Sequence, residues 1–163
     1  LKTTPDALPA LVKPENIKFF EKYGVLSETE VHARYVAKAE QYAKRLNIEA
    51  NTMVYMTRHR YLPALFDYSG DIATSVATKA ELGIDAKAEK KLVNVLTDGI
   101  NAISDAVDDL EAKNAQAKNL EDPQAADDCY RDVVIPAMTA LRTAVDDMEK
   151  VCGHDYRPVP SYK

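Results

Sequence analysis

Glu28 and His32 lie four residues apart, a spacing that sets both side chains on one helix face and can offer a divalent metal one carboxylate and one imidazole. Two donors fall short of a site, and a solvated pair is the plainer reading. "RHRY" at 58–61 is the one local basic knot. Its guanidinium groups can grip a carboxylate or a phosphate, although salt bridges between helices or subunits explain it with fewer assumptions. The acidic pairs Asp108-Asp109, Asp127-Asp128 and Asp146-Asp147 bring divalent cations to mind. Successive residues on a helix point about 100° apart, so these pairs read instead as solvated faces. The glycines at 24, 70, 83, 99 and 153 are scattered, whereas a phosphate-cradling loop needs them clustered so that backbone N–H groups can meet an anion. HExxH is missing. A di-iron bundle needs Glu-x-x-His on two helices, but the residues three before His32, His59 and His154 are Thr29, Met56 and Val151. No catalytic, cofactor-binding or metal-ligating residue is therefore assigned.

Composition narrows the classes further. The chain has 163 residues, 46% hydrophobic and 29% charged, a globular composition long enough for one domain with a real core. Its formal net charge of −5 disfavours nucleic acid, because no basic face offsets the repulsion from phosphates. Charges interrupt every apolar run well short of the ~18 residues that span a bilayer. Nine tyrosines and no tryptophan suit interfaces and wet helix–helix contacts. Cys129 and Cys152 read as reduced, part-buried thiols of a cytoplasmic protein. If one helix carries both, they stand roughly 1.5 Å per residue apart, several times the reach of a disulfide.

Helices must carry these side chains. Pro14 suits a first helical position, and Gly24 is a natural left-handed stop. "LSETEV" holds a capping box, Ser27 with Glu30, flanked by Leu26 and Val31. From Ser27 a long helix is expected, with a stripe through Val31, Tyr35, Ala39, Tyr42, Leu46, Ala50 and Met53. Asn47 is a point of possible interruption. An interior proline costs about 3 kcal/mol, so Pro63 predicts a kink or joint near Arg60 to Pro63. Beyond it, Leu65, Tyr68, Ile72 and Val76 continue the stripe to Gly83. Asp85 is expected to cap a second long helix through Leu92, Leu96, Gly99, Ile103, Ala106 and Leu110, with Gly99 permitting a close crossing. "AKNAQAKNLEDP" loses the apolar rhythm and reads as a frayed end and connector. Asp122-Pro123 caps a third helix with the seam Tyr130, Val134, Ala137, Leu141, Ala144, Met148 and Val151, bent at Pro136 and ended by Gly153. The expected fold is all-α: an antiparallel bundle of three long helices, two kinked at proline, with a short N-terminal helix and an extended proline-rich tail. Its divisions are 1–26 as lead-in, 27–153 as bundle and 154–163 as tail.

"DALPALVKPENIKFFEKYGVLSETEVHARY", "NIEANTM" and "LPA" at 62–64 resemble the C-terminal region of type III glutamine synthetases, large bacterial glutamate–ammonia ligases. "RPVPSY" resembles that family's closing aromatic-Pro-x-Pro-Thr-Tyr motif, with Arg157 and Val159 where bulky aromatics are usual. The likeness is specific over about residues 6–64, moderate at 156–162 and weak between. It implies a parent enzyme of nitrogen metabolism that joins ammonia to glutamate through a γ-glutamyl phosphate, using ATP and a divalent metal such as Mg. That parent would be a cytoplasmic dodecamer whose ligands lie on a β-rich barrel preceding Leu1. The present residues would then be a helical appendage whose partners are its own catalytic barrel and neighbouring subunits. "LKTTPD" carries no initiator Met or signal segment, in keeping with a piece of a longer chain. A free-standing helical module that binds another protein is the alternative.

Overall fold

The structure, a computed structural model, describes residues 2–159. Helix accounts for 84% of the described residues, and no strand occurs among them. The helices are α1 (Thr4–Ala7), α2 (Pro14–Lys22), α3 (Glu28–Met56), α4 (Leu62–Glu81), α5 (Lys87–Lys118), α6 (Pro123–Cys129) and α7 (Ile135–Glu149). Wide π turns at Thr57–Tyr61 and Tyr130–Val134 join α3 to α4 and α6 to α7. Tight 3-10 turns occur at Leu8–Ala10 and His154–Tyr156. The three expected long helical stretches are all present, as 28–81, 87–118 and 123–149.

Local chemistry explains most of the boundaries. The Ser27 N–H donates to the Glu30 carboxylate at 2.8 Å, and the Glu30 N–H donates to Ser27 Oγ at 3.4 Å, closing the capping box. Those bonds from Ser27 hold the Glu30 carboxyl below its ordinary value. Helices α2 and α4 end on Gly24 and Gly83, which take φ of 62° and 71°. At each end the next residue donates five positions back, Val25 to Phe20 and Ile84 to Lys79, both at 2.9 Å, so the last carbonyls find donors. Asp122 accepts from Ala125 N–H at 2.7 Å, with Pro123 as the first helical residue.

Several expectations need correction. Asn47 does not interrupt α3, because its side-chain oxygen accepts from Asn114 Nδ2 at 3.0 Å and no longer competes for the backbone. Asp85 does not cap α5; Lys90 N–H donates to Ala86, and Asp85 instead pairs with Lys90 at 3.2 Å. Residues 112–118 are helical rather than frayed. Alanine is the best helix former, and Ala117 is 1% exposed, so a small residue substitutes there for an apolar ridge. Helix α7 ends at Glu149, before Gly153, whose φ is −56°. The tail is not extended throughout: it makes a 3-10 turn at His154–Tyr156 before Arg157 becomes extended. Residues 160–163 of the expected tail lie outside the described residues.

The chain divides into two compact units, Leu1–Ala50 with Ala112–Pro136 and Asn51–Glu111 with Ala137–Lys163. In the first, Leu8, Ile17, Val31, Ala39, Leu46, Ala117, Tyr130 and Val134 are buried. In the second, Leu62, Leu65, Leu96, Ile103, Val107, Leu110 and Leu141 are buried. A Cβ at Gly99 would fall 1.9 Å from Met148 Sδ, so the Met148 thioether of α7 lies against the bare backbone of α5 there.

Candidate functional site

Helix α3 places Glu28 and His32 in solvent, and the Glu28 N–H is held by the Glu21 carboxylate at 3.3 Å. No group of three or more His, Cys, Asp or Glu residues assembles to hold a metal among the described residues. The basic knot is dispersed by helical geometry. Arg58 donates to Asp108 at 2.7 Å and to Glu111 at 2.6 Å on α5, and the bond to Asp108 does most to keep the guanidinium protonated. His59 stacks on Tyr55, with ring centres 4.6 Å apart. Tyr61 is raised by burial and then by the Glu149 carboxylate it meets. Asp146 and Asp147 pair with Arg142 at 3.5 Å and Lys150 at 2.6 Å. Both cysteines are free, and burial pushes each thiol up, away from the thiolate that nucleophilic chemistry requires.

One acidic pair departs from its reading as a solvated face. Asp127 is fully buried and Asp128 half-buried. Neither Asp127 oxygen has a hydrogen-bond partner. Burial first, and the Asp128 charge second, push its carboxyl up to about 7. Its surroundings are well connected by contrast. Tyr35 donates to Gln124 Oε1 at 3.0 Å, and Gln124 Nε2 donates to the Pro5 carbonyl at 3.2 Å. Arg131 reaches Asp6 at 2.9 Å, Asp128 at 3.0 Å and Asp132 at 2.7 Å. Charge near Asp127 is thus committed to its neighbours. The position was not legible as buried, because Asp-Asp on a helix normally faces water.

The second unit carries a cleft of about 610 Å³, lined by Met53, Met56, Tyr61, Leu141 and Val145 and rimmed by Arg142 among others. Two flexible thioethers on an apolar floor make an adaptable contact surface. Beside it, the tail docks on its own unit. The Tyr156 hydroxyl donates to Asp71, the Tyr68 and Tyr156 rings lie 4.9 Å apart, and Arg157 donates to the Glu149 carbonyl at 2.9 Å. These arrangements can bind and pack. They bring no nucleophile, base and anion-stabilising donor together.

Comparison with known proteins gives this geometry its context. The family described as the glutamine synthetase C-terminal domain matches residues 1–80. A glutamine synthetase of Butyrivibrio fibrisolvens is 26% identical over 164 residues, covering 99% of this chain and 23% of the relative. A type-3 glutamine synthetase of Dictyostelium discoideum is 27% identical over 168 residues, with the same 99% and 23% coverage, so the likeness reaches beyond bacteria. A glutamine synthetase of Bacteroides fragilis (strain YCH46) is 20% identical over 145 residues, covering 85% of this chain and 20% of the relative. The chain therefore spans less than a quarter of the length of these curated relatives. Residues 1–80 thus resemble the glutamine synthetase C-terminal domain, and almost the whole chain is alignable to glutamine synthetases.

Proposed function

We propose that this chain is the non-catalytic C-terminal helical domain of a type III glutamine synthetase and serves subunit packing or assembly. The parent polypeptide would ligate ammonia to glutamate in the cytoplasm, with ATP and a divalent metal bound elsewhere. The observation that carries the reading is the coverage: alignment along 99% of this chain but 23% of two glutamine synthetases. The residues present do not fit the nucleotide or the metal. The glycines are dispersed, and no metal-holding group forms among the described residues, so no step of the ligation is assigned to them. Partners of such a domain are its own catalytic barrel and the neighbouring subunits of a homo-oligomer. Exposed aromatic residues such as Phe19 and Tyr23, stacked at 4.8 Å and more than half exposed, are what a packing domain would offer. No helix among the described residues is long and apolar enough to cross a membrane.

The test uses a full-length glutamine synthetase carrying this segment. Deleting residues 25–163 should disturb the native mass seen by light scattering, or the solubility, while the barrel's own ligand residues remain. An intact, soluble assembly after deletion would refute the packing role. Titration calorimetry of the 163-residue chain with ATP should show no micromolar binding; stoichiometric binding would contradict a non-catalytic appendage.

A further inference from the structure

Within the second unit, α3, the π turn and α4 bury Val54, Thr57, Leu62 and Leu65. Beside that buried face runs a second stripe. Tyr55, His59, Pro63, Phe66, Gly70 and Ala73 recur at steps of three and four, and all six are exposed. Tyr55 is 60% and Phe66 54% exposed, and the stack of Tyr55 on His59 makes the first half broad and aromatic. The second half is bare. Nothing lies within 4 Å of where a Cβ on Gly70 would sit. Thr74 and Thr78 fold their hydroxyls back onto the Gly70 and Thr74 carbonyls at 2.9 and 3.0 Å, so neither hydroxyl projects outward. A glycine inside a helix is less favourable than alanine, and the fold supplies no neighbour that requires one at position 70. Close approach by something outside the unit would require it. At the edge of the stripe stand Arg60 and Asp67, opposite in charge, exposed, and without an ion-pair partner among the described residues.

These features are complementary to themselves when reversed. Turned end for end about a point near residue 64, Arg60 falls opposite Asp67, His59 opposite Gly70 and Tyr55 opposite Ala73. A twofold axis demands this relation, because when residue i of one copy meets j of the other, j of the first must meet i of the second. We propose that this face pairs two copies of the chain antiparallel across a twofold axis near residue 64, the aromatic half of each copy covering the bare half of the other, with Arg60 against Asp67 of the second copy. The occupant is a second copy rather than an unrelated protein because size and charge are both matched within the one stripe. Opposite charges at this edge set register and suppress the parallel arrangement, which would place like on like. The pairing deepens the packing role proposed above and rests on it for its biological setting.

Sedimentation equilibrium of the chain, 18.1 kDa as a monomer, tests the pairing directly. A reversible dimer with a Kd between about 1 and 100 μM is expected, in the range of small transient interfaces. Gly70→Leu enters open space and favours helix, so circular dichroism should show an intact fold while Kd rises at least about tenfold. Arg60→Asp should weaken the dimer, and adding Asp67→Arg in the same chain should restore Kd to within about threefold of the original. A chain that stays monomeric at about 500 μM overturns the proposal. So does a dimer indifferent to Gly70→Leu, or a charge reversal that does not rescue. An intact full-length assembly after deletion of residues 25–163 would refute the packing role alone and leave the dimer measurement standing.

Discussion

The chain widens into a π turn once in each unit, and the two turns share much of their sequence. "TRHRYLPAL" at 57–65 aligns with "YRDVVIPAM" at 130–138, matching an arginine second, Leu or Ile sixth, then Pro-Ala. In both, the residue before the proline reaches five positions back: Leu62 N–H to the Thr57 carbonyl, and Ile135 N–H to the Tyr130 carbonyl. A proline has no N–H, and its ring crowds the carbonyl four residues earlier. One extra residue in the turn moves that carbonyl aside, which is how a helix carries an interior proline without ending. The surroundings differ. Three residues before the first turn stands Val54, 9% exposed; three before the second stands Asp127, at 0%. Arg58 pairs with carboxylates of a distant helix, and Arg131 pairs chiefly with carboxylates next to it on its own helix. The lesson is that a shared local motif fixes the backbone device, while each unit decides independently what to bury beside it.

The largest expected effect comes from making the first site like the second. Val54→Asp should destabilise the fold by about 3–5 kcal/mol at pH 8, since it puts a carboxylate where the fold buries an apolar side chain. Equilibrium urea unfolding measures it, and a cost under about 1 kcal/mol would show that the position opens to water.

The reverse change sharpens the contrast through pH. Asp127 in the folded chain titrates at about 7 against an ordinary value of 3.8, so the native state holds a proton that the unfolded state has lost between those pH values. Its contribution is therefore full below pH 4, falls as pH rises from about 4 to 7, and is flat above. Asp127→Asn should remove that decline and gain roughly 2–4 kcal/mol at pH 8. The check is the difference between wild-type and variant stabilities across pH 4–8. Equal curves would mean that the carboxyl finds a partner in solution.

A smaller effect probes the turns themselves. Pro63→Ala and Pro136→Ala each restore a donor, yet the π turns should persist. Straightening either one would rotate all later residues by about 100° and withdraw Leu65 or Ala137 from its core. Stability should change by no more than about 1 kcal/mol, and backbone chemical shifts should keep the wide turns. A turn that reverts to regular helix would place its cause in the proline alone.

The smallest effect distinguishes the arginines. Arg58 is 39% exposed, so Arg58→Ala should cost about 0–1 kcal/mol and less at high salt. Arg131 is 25% exposed and meets three carboxylates, so Arg131→Ala should lower the melting temperature further and with weaker salt dependence. Equal losses and equal salt slopes would erase the electrostatic difference between the units.

Much was fixed by residues acting within one or two helical turns. Ser27 with Glu30, Gly24, Gly83 and Asp122-Pro123 each satisfy backbone groups from a few positions away, so their sequence alone marks where helices begin and end. Apolar steps of three and four likewise identified Val31, Leu96, Ile103 and Leu141 as core, since burial of a stripe depends on periodicity. The same residue types misled where the deciding partner lay far along the chain. Asn47 reads as an interruption until Asn114, on another helix, takes its amide. The stretch 112–118 reads as frayed because alanines fill a close-packed contact without announcing it. Asp127 is the extreme case: only the surrounding helices exclude water from it. Sequence determines what backbone and side chains within a few residues can satisfy; tertiary structure decides which of them lose their water, because that depends on neighbours tens of residues away.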